Sequence, residues 1–334
     1  MTQRIRILPE ETINRVAAGE VVERPAAALK ELLENGIDAG AASVAVELER
    51  AGKGLISVTD DGAGMGHDEL LLALERHATS KIASVEDLGR VATFGFRGEA
   101  LPSIAAVSRL LIETRERGAH AGTRLEADGG RILRVAPCGC PEGTRVEVRG
   151  LFHTVPARLK FLRTDATELG RCLEVASRLA LACHRVAFSV RHGGRDLLRL
   201  APAPDPGTRL RGHLGVEFFA GLLPVRAARD LAAVSGYFSR PGAGRPGAEH
   251  QQLFVNGRPV RDQLLAQGIR EACRDHFLQE PAGASWYLWI ELPPEEVDVN
   301  VHPTKREVRF RDLPAVRGLV TEAVREALRR DRAA

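Results

Sequence analysis

Apolar and polar positions repeat along this chain at two periods, and those periods outline its elements. On a helix advancing about 100° per residue, Leu29, Leu32, Leu33 and Ile37 share one side, while Glu31, Asn35 and Asp38 form a narrow opposite stripe. Pro25 suits the first turn of that helix, although Asn35-Gly36 reads locally as its end. Ser43–Glu49 and Leu55–Asp60 alternate with period two, predicting strands joined by a turn at Gly52-Lys53-Gly54. Helices are expected near Glu11–Ala18, from Asp68 to about His77, and from Glu99 towards Val107. Strands are expected at Leu110–Thr114, Thr123–Ala127, Ile132–Val135 and Thr144–Val148, with Thr79–Phe96 rich in loop. Helices interleaved with hairpins predict an α/β sandwich rather than a regular βαβ array.

The segment Ala201–Gly207, APAPDPG, is rich in proline and poor in core formers, and so reads as a linker. It divides the chain into an expected first domain over 1–205 and a second over 206–334. In the second, Gly236–Ser239, Gln252–Asn256, Trp286–Leu292 and Val297–Val301 read as strands. Asn256-Gly257 is a hairpin signal, and Ala315–Arg329 an amphipathic closing helix. Phe238, Phe254, Trp286, Tyr287 and Trp289 read as core.

At 334 residues, two domains are the natural expectation. A content of 44% hydrophobic and 27% charged residues is that of a globular protein, and a net charge of +3 excludes a polycation. Aromatic residues at 4% argue against a base-stacking platform for single strands. Of 47 basic residues only five are lysines, namely Lys30, Lys53, Lys81, Lys160 and Lys305. A lysine kept amid such arginine dominance is a candidate place for a compact point charge, the plain alternative being a residual lysine with no role. The five cysteines are scattered without zinc-like spacing, which predicts reduced thiols in a cytoplasm; Cys172, Cys183 and His184 read as core. No apolar run approaches a membrane span, and no signal core opens the chain.

Three short segments carry chemistry. In KELLENGIDAG, a carboxylate one turn before an amide can hold a water and a metal ion side by side, though such a stripe is also an ordinary solvated face. In TDDGAGMG, Asp60 ends a strand where a carboxylate can accept from an exocyclic amine, and glycines admit a flat ring. The plain alternative there is an acidic turn. Gly62, Gly64 and Gly66 do not give the dinucleotide spacing, and no phosphate-binding GxxxxGK[ST] occurs. In GFRGEAL, a glycine pair before a helix suits phosphate, or is simply a helix start with two hinge glycines.

Taken in order, ExxxN, DxGxG, a glycine-rich segment and a late Gly143-Thr144 resemble the four motifs of the GHKL ATPases. Within that superfamily, AAGEVVERPAAALKELLENGIDAGA, HATSKI, GFRGEALPSIAAVSRL, FVNGRPVRD and VDVNVHPTKREVRF resemble signatures of the MutL family, spanning Ala17 to Phe310. The resemblance implies a GHKL (Bergerat) two-layer α/β sandwich ATPase domain, followed by a smaller ribosomal-protein-like α/β domain.

It also implies roles. Glu31 is the expected general base for the water attacking the γ-phosphate, and Asn35 the expected ligand of Mg²⁺. Asp60 is expected to read the adenine amine, with Gly64 close to the base, Thr144 behind the adenine end, and Met65 a further ATP-binding residue. Thr79, Ser80 and the run Gly95, Phe96, Arg97, Gly98, Glu99, Ala100 and Leu101 are expected to form a lid over the phosphates of ATP, and Asp38 is a further expected ATP-binding residue. Lys305, in the second domain's HPTK loop, is expected to reach the γ-phosphate. Arg258, Arg261 and Arg270 are candidate DNA contacts, though exposed arginines are ordinarily just solvated.

The function implied is slow hydrolysis of Mg-ATP coupled to homodimerisation and DNA clamping. The expected partners are DNA, a mismatch-recognition protein, and a downstream nuclease and helicase. The expected location is the cytoplasm, at the nucleoid during repair, with no membrane. The DQHAxxERxxYE endonuclease motif and a C-terminal dimerisation domain are not in this sequence, so a fragment is expected. Rival readings are a GHKL chaperone or topoisomerase subunit, against which the HPTK and GFRGEAL contexts speak, and a clamp that binds ATP without hydrolysing it.

Overall fold

The computed structural model describes residues 13, 18–19, 21–81, 93–95, 98–274, 283–298 and 308–333. The chain divides into two compact units, the first holding the described residues to Lys81, Thr93–Ser177 and Val186–Ala201. The expected helix over Glu11–Ala18 falls mainly outside the described residues.

Helix α1 (Pro25–Asp38) opens the first unit and buries Leu29, Leu32 and Leu33. It does not stop at Asn35-Gly36 but runs to Asp38, because Gly36 is buried against Asp60 and tertiary packing outweighs the local stop signal. Strand β1 (Ser43–Glu49) alternates exposed and buried positions along its length, so one face of the sheet is covered and the other open. Strand β2 (Leu55–Asp60) pairs antiparallel with it, with Val44 opposite Asp60.

Helix α2 (His67–Leu72) is shorter than the apolar pattern suggests. Beyond it Leu74 and Glu75 make tighter turns onto Leu71 and Leu72, and His77 turns left-handed at φ 64°. The His77 amide then donates to Gly98 O at 3.1 Å, a long-range bond that replaces the next helical turn. After α3 (Ala100–Ala106) come β3 (Arg109–Arg115), β4 (Gly122–Asp128), β5 (Arg131–Cys138) and β6 (Gly143–Arg149). The single turn α4 (Pro156–Leu159), the long helix α5 (Asp165–Ala182), β7 (Ala187–His192) and β8 (Arg195–Leu200) complete this region.

The sheet order is β5-β4-β3-β6-β2-β1-β7-β8, antiparallel except where β7 pairs parallel to β1. Helices α1 and α3 lie on its buried face, giving two layers.

The second unit holds Arg178–Arg185 and the described residues from Pro202. Its proline-rich start is fixed rather than loose: Ala203 N donates to His184 O at 2.8 Å, and Asp205 caps α6 (Pro206–Leu214) by accepting from Thr208 N. Short α7 (Val216–Ala220) leads into β9 (Leu222–Arg229), β10 (Ala232–Ser239), β11 (Gln251–Val255) and β12 (Arg258–Val260). Asn256 and Gly257 both adopt positive φ, as a two-residue hairpin turn requires. Then follow α8 (Gln263–Cys273), β13 (Trp286–Glu291), β14 (Val297–Asp298), β15 (Arg309–Phe310) and α9 (Leu313–Ala333).

This second sheet, ordered β12-β11-β13-β10-β9, is covered on both faces. One face buries Val234, Phe238 and Trp286 with Ile269 and Val324 from α8 and α9. The other buries Phe254, Tyr287 and Trp289 with Leu210 and Phe218. The aromatics read as core are therefore core.

Candidate functional site

The polar stripe of α1 meets the end of β2 at Gly36. A Cβ on residue 36 would lie 3.1 Å from Asp60 Cβ and 3.3 Å from its Oδ2, so a bare glycine is what lets helix and strand end approach this closely. Ala63 N donates to Ala39 O at 2.9 Å just beyond, tying the turn after β2 to the helix end. Asn35, Asp38 and Asp60 are thereby gathered at one end of the first sheet.

Asp60 holds its own turn, with Gly62 N donating to its Oδ1 at 2.9 Å. Burial raises its carboxyl above the usual carboxylate range, and amide donation from Gly62 and Thr144 offsets this only in part. Asp61 acts on the sheet instead. Its Oδ1 accepts from Ala42 N at 2.7 Å and Ser43 N at 2.8 Å, stitching the end of β2 to the start of β1.

Across the sheet Asp60 faces Thr144 on β6, and Thr144 faces Thr114 on β3. The Thr114 hydroxyl donates to Gly143 O at 3.1 Å, lies 3.0 Å from Thr144 Oγ1, and accepts from Met65 N at 2.9 Å. One buried hydroxyl thus positions three of the residues expected around an adenine or their neighbours. Gly64, at φ 70°, packs directly onto the Arg115 carbonyl, leaving no room for a side chain. Thr114 was not singled out from sequence; only the strand register brings it into this row.

At the C-terminal end of the stripe, Asp38 collects three donors. Lys81 Nζ lies 2.5 Å from its Oδ2, Gly95 N donates to the same oxygen at 2.9 Å, and Phe94 N donates to Oδ1 at 2.9 Å. The Lys81 ammonium also donates to Asn35 Oδ1 at 3.1 Å. Lys81 N is held by Thr79 Oγ1 at 3.2 Å, and Ser80 is exposed. Gly98 packs against Ala78, and Glu99 stands before the first turn of α3, which holds Ala100 and Leu101. Phe96, Arg97 and Lys305 lie outside the described residues.

Glu31 sits one turn back on α1 beside a lysine. Lys30 Nζ lies 3.2 Å from Glu31 Oε1 and 2.7 Å from Glu34 Oε1. Burial by itself would lower the Lys30 ammonium, but Glu34 and Glu31 override it and hold the group above its ordinary range. Neither Lys30 nor Lys81 was assigned a role from sequence. Their signal was their rarity, since both belong to the five lysines of this arginine-rich chain.

The arginines considered for DNA contact separate. Arg258 is 7% exposed and so does not belong to an open surface, whereas Arg261 and Arg270 are exposed. Among the described residues no three His, Cys, Asp or Glu side chains converge as a metal cluster, and no helix is long and apolar enough to cross a membrane. Burial raises the Cys172 thiol to about 12, as fits a core residue.

The chemistry of the donor set nonetheless suits one hydrated cation. Mg²⁺ that keeps waters and phosphate oxygens needs only one or two protein oxygens. Asn35 Oδ1 and the Asp38 carboxylate are hard oxygen donors side by side, already bridged by a cationic group.

Residues 23–128 match the family model for histidine kinase-, DNA gyrase B- and HSP90-like ATPases, an interval that includes α1, Asp60, Lys81 and Thr114. Residues 210–329 match the model for the DNA mismatch repair protein C-terminal domain. The chain is 48% identical over 332 residues to the DNA mismatch repair protein MutL of Geobacter sulfurreducens, covering 98% of this chain and 54% of that protein. It is 49% identical over 325 residues to the MutL of Symbiobacterium thermophilum, covering 97% of this chain and 51% of that one. The chain therefore spans about half the length of the curated relatives it matches.

Among solved structures, the N-terminal domain of a DNA repair protein superposes with a TM-score of 0.83 at 26% identity, covering 96% of this chain and 99% of that one. The Aquifex aeolicus MutL ATPase domain complexed with ADP gives 0.64 at 28% identity, covering 90% of this chain and 98% of that one. With the stripe of α1, the Asp60 row and both sheets accounted for, the chain belongs to the MutL family of DNA mismatch repair proteins and carries its GHKL ATPase region.

Proposed function

We propose that this chain binds Mg-ATP, hydrolyses it slowly, and uses the nucleotide state to control dimerisation, clamping on DNA and signalling to repair factors. The observation that carries this reading is the convergence of the α1 stripe on Asp60 through Gly36. That contact brings an amine-reading carboxylate and a phosphate-side amide to one end of one sheet.

Asp60 accepts from the exocyclic amine of adenine, and the Thr114–Thr144 row fixes the strand ends behind the ring. Gly64 and Met65 give the ring a flat approach. Asn35 and Asp38 would supply oxygen to a Mg²⁺ ion beside the phosphates. Bound Mg²⁺ would neutralise charge developing on the transferred phosphoryl oxygens. Glu31 orients the attacking water and takes its proton onto a carboxylate oxygen, with the Lys30 ammonium 3.2 Å from that carboxylate. Thr79, Ser80 and the run Gly95 to Leu101 are the proposed phosphate contacts, and Lys305 the proposed positive charge for the terminal phosphate.

Beyond the ATP site, the reading follows the relatives' printed role in mismatch repair. DNA, a mismatch-recognition protein and a downstream nuclease and helicase are the proposed partners, in the cytoplasm and at the nucleoid during repair. Arg261 and Arg270 remain proposed DNA contacts.

Phosphate release and ADP calorimetry on Glu31→Ala test this reading. Retained binding with lost turnover supports the assignment, and unchanged turnover removes Glu31 from it. Gel filtration with a non-hydrolysable ATP analogue tests dimerisation: an unaltered elution volume rejects nucleotide-driven assembly.

A further inference from the structure

The Lys81 ammonium is not a bystander at this site. It makes two close contacts, 3.1 Å to Asn35 Oδ1 and 2.5 Å to Asp38 Oδ2, and its side chain is 19% exposed. Gly95 is shaped around it: a Cβ there would lie 3.1 Å from Lys81 Nζ, 3.6 Å from Asp38 Oδ2 and 3.7 Å from Asn35 Oδ1. Three separate pieces of chain, α1, Lys81 and Gly95, thus close around one positive charge.

We propose that Lys81 is the resident cation of the nucleotide site, seated on the amide oxygen that a divalent metal takes when nucleotide is bound. The inference rests on the proposed role of Asn35 as a metal ligand and adds a competitor for that oxygen. An ammonium and a divalent ion on one oxygen would lie a few ångströms apart with little water between them, so arrival of the metal drives the lysine off Asn35. Until then the ammonium offsets the Asp38 charge, and Asp38 keeps the amides of Phe94 and Gly95 bound. Metal-nucleotide binding and release of the Lys81 tether are one coupled event. Such coupling requires that the two states differ in their contacts, which the Asn35 oxygen supplies.

The consequence is a defined dependence on Mg²⁺. In the parent chain, metal-free ADP meets a site that already holds a positive charge, so adding Mg²⁺ improves affinity only modestly. In Lys81→Met the metal-free site is purely acidic, metal-free ADP binds worse, and the improvement on adding Mg²⁺ grows at least tenfold. Calorimetry of ADP with and without Mg²⁺ on the parent, Lys81→Met, Lys81→Gln and Asn35→Ala measures this. Lys81→Gln keeps a donor for Asn35 without the charge and covers the case in which the methionine variant fails to fold.

An equal Mg²⁺ improvement in the parent and in the folded Lys81 variants overturns the proposal. If Asn35→Ala retains the full improvement, the metal-ligand reading fails and the inference falls with it. If Asn35→Ala abolishes it while the Lys81 variants match the parent, only the resident-cation role fails. A parent chain that binds no ADP rejects both. The second readout is the Lys81 ammonium resonance in ¹⁵N-lysine-labelled protein, identified by its loss in the variants. It is expected to shift or broaden on addition of Mg-ADP, and an unmoved resonance overturns the proposal.

Discussion

Gly36 and Asp60 touch across the join between α1 and β2, where a side chain on the helix would be crowded: a Cβ at residue 36 would sit 3.1 Å from Asp60 Cβ. This contact sets the distance between the two halves of the site. The acidic stripe of α1 and the carboxylate that ends β2 are far apart in sequence, and each is ambiguous alone. Joined, they bring the proposed base-reading carboxylate and the proposed phosphate-side amide to one end of the first sheet.

Gly36→Ala tests that contact. Alanine favours a helix interior over glycine by about 1 kcal/mol, and crowding of Asp60 costs a comparable amount. Thermal unfolding is therefore expected to shift little, while ADP affinity by calorimetry falls about tenfold as Asp60 is displaced, the equivalent of about 1.4 kcal/mol. Unchanged affinity would show that the spacing is not functional.

Asp60→Asn separates stability from function. Because burial raises the folded carboxyl pKa, ionised Asp60 stabilises the fold less as pH rises above the ordinary carboxylate value of 3.8. The amide keeps an oxygen for Gly62 N and carries no charge. Near neutral pH the variant should be the more stable of the two, with the gain shrinking as pH falls through the raised carboxyl pKa towards 3.8. ADP affinity should fall, because the orientation of the acceptor is no longer enforced by charge. Melting curves over a pH series, paired with calorimetry, read both effects.

Lys30→Met leaves Glu31 and Glu34 side by side without their shared ammonium. Removing one partner of a largely buried ion pair costs about 2–3 kcal/mol here, since the group is not fully enclosed. The catalytic consequence is more specific. Two neighbouring carboxylates resist ionising together, so the rising limb of the pH–turnover profile should move to higher pH. The lysine's own contribution has a sign as well: with its folded pKa raised above 10.5, the stability it supplies is present below that value and lost only as pH climbs through the folded one. Alkaline melting of the parent, absent in the variant, reports it.

Thr114→Val removes a hydroxyl that serves Met65 N and Gly143 O at once. Valine matches the shape but leaves a buried donor and acceptor unserved, a cost of about 1–3 kcal/mol. Denaturant midpoints measure that loss. Adenine nucleotides should lose affinity more than inorganic triphosphate does, because the disturbance lies at the base end of the site.

The sequence by itself determined the elements whose apolar period is unbroken. The amphipathic α1, the alternating β1 and β2, the Asn256-Gly257 hairpin and the buried aromatics of the second sheet all follow from residue spacing and turn chemistry. Its motifs carried the family resemblance, and with it the roles assigned to Glu31, Asn35 and Asp60. Tertiary structure decided what periodicity cannot encode. It carried α1 past a local stop at Gly36, because a glycine buried against Asp60 gains more from packing than the helix loses there. It ended α2 early, because the His77 amide found Gly98 instead of the preceding turn. It brought Thr114 to Thr144 through strand register, and Lys81 to Asn35 across 46 positions of chain. These are non-local contacts, each fixed by packing and hydrogen bonding between segments, so no window of neighbouring residues contains them.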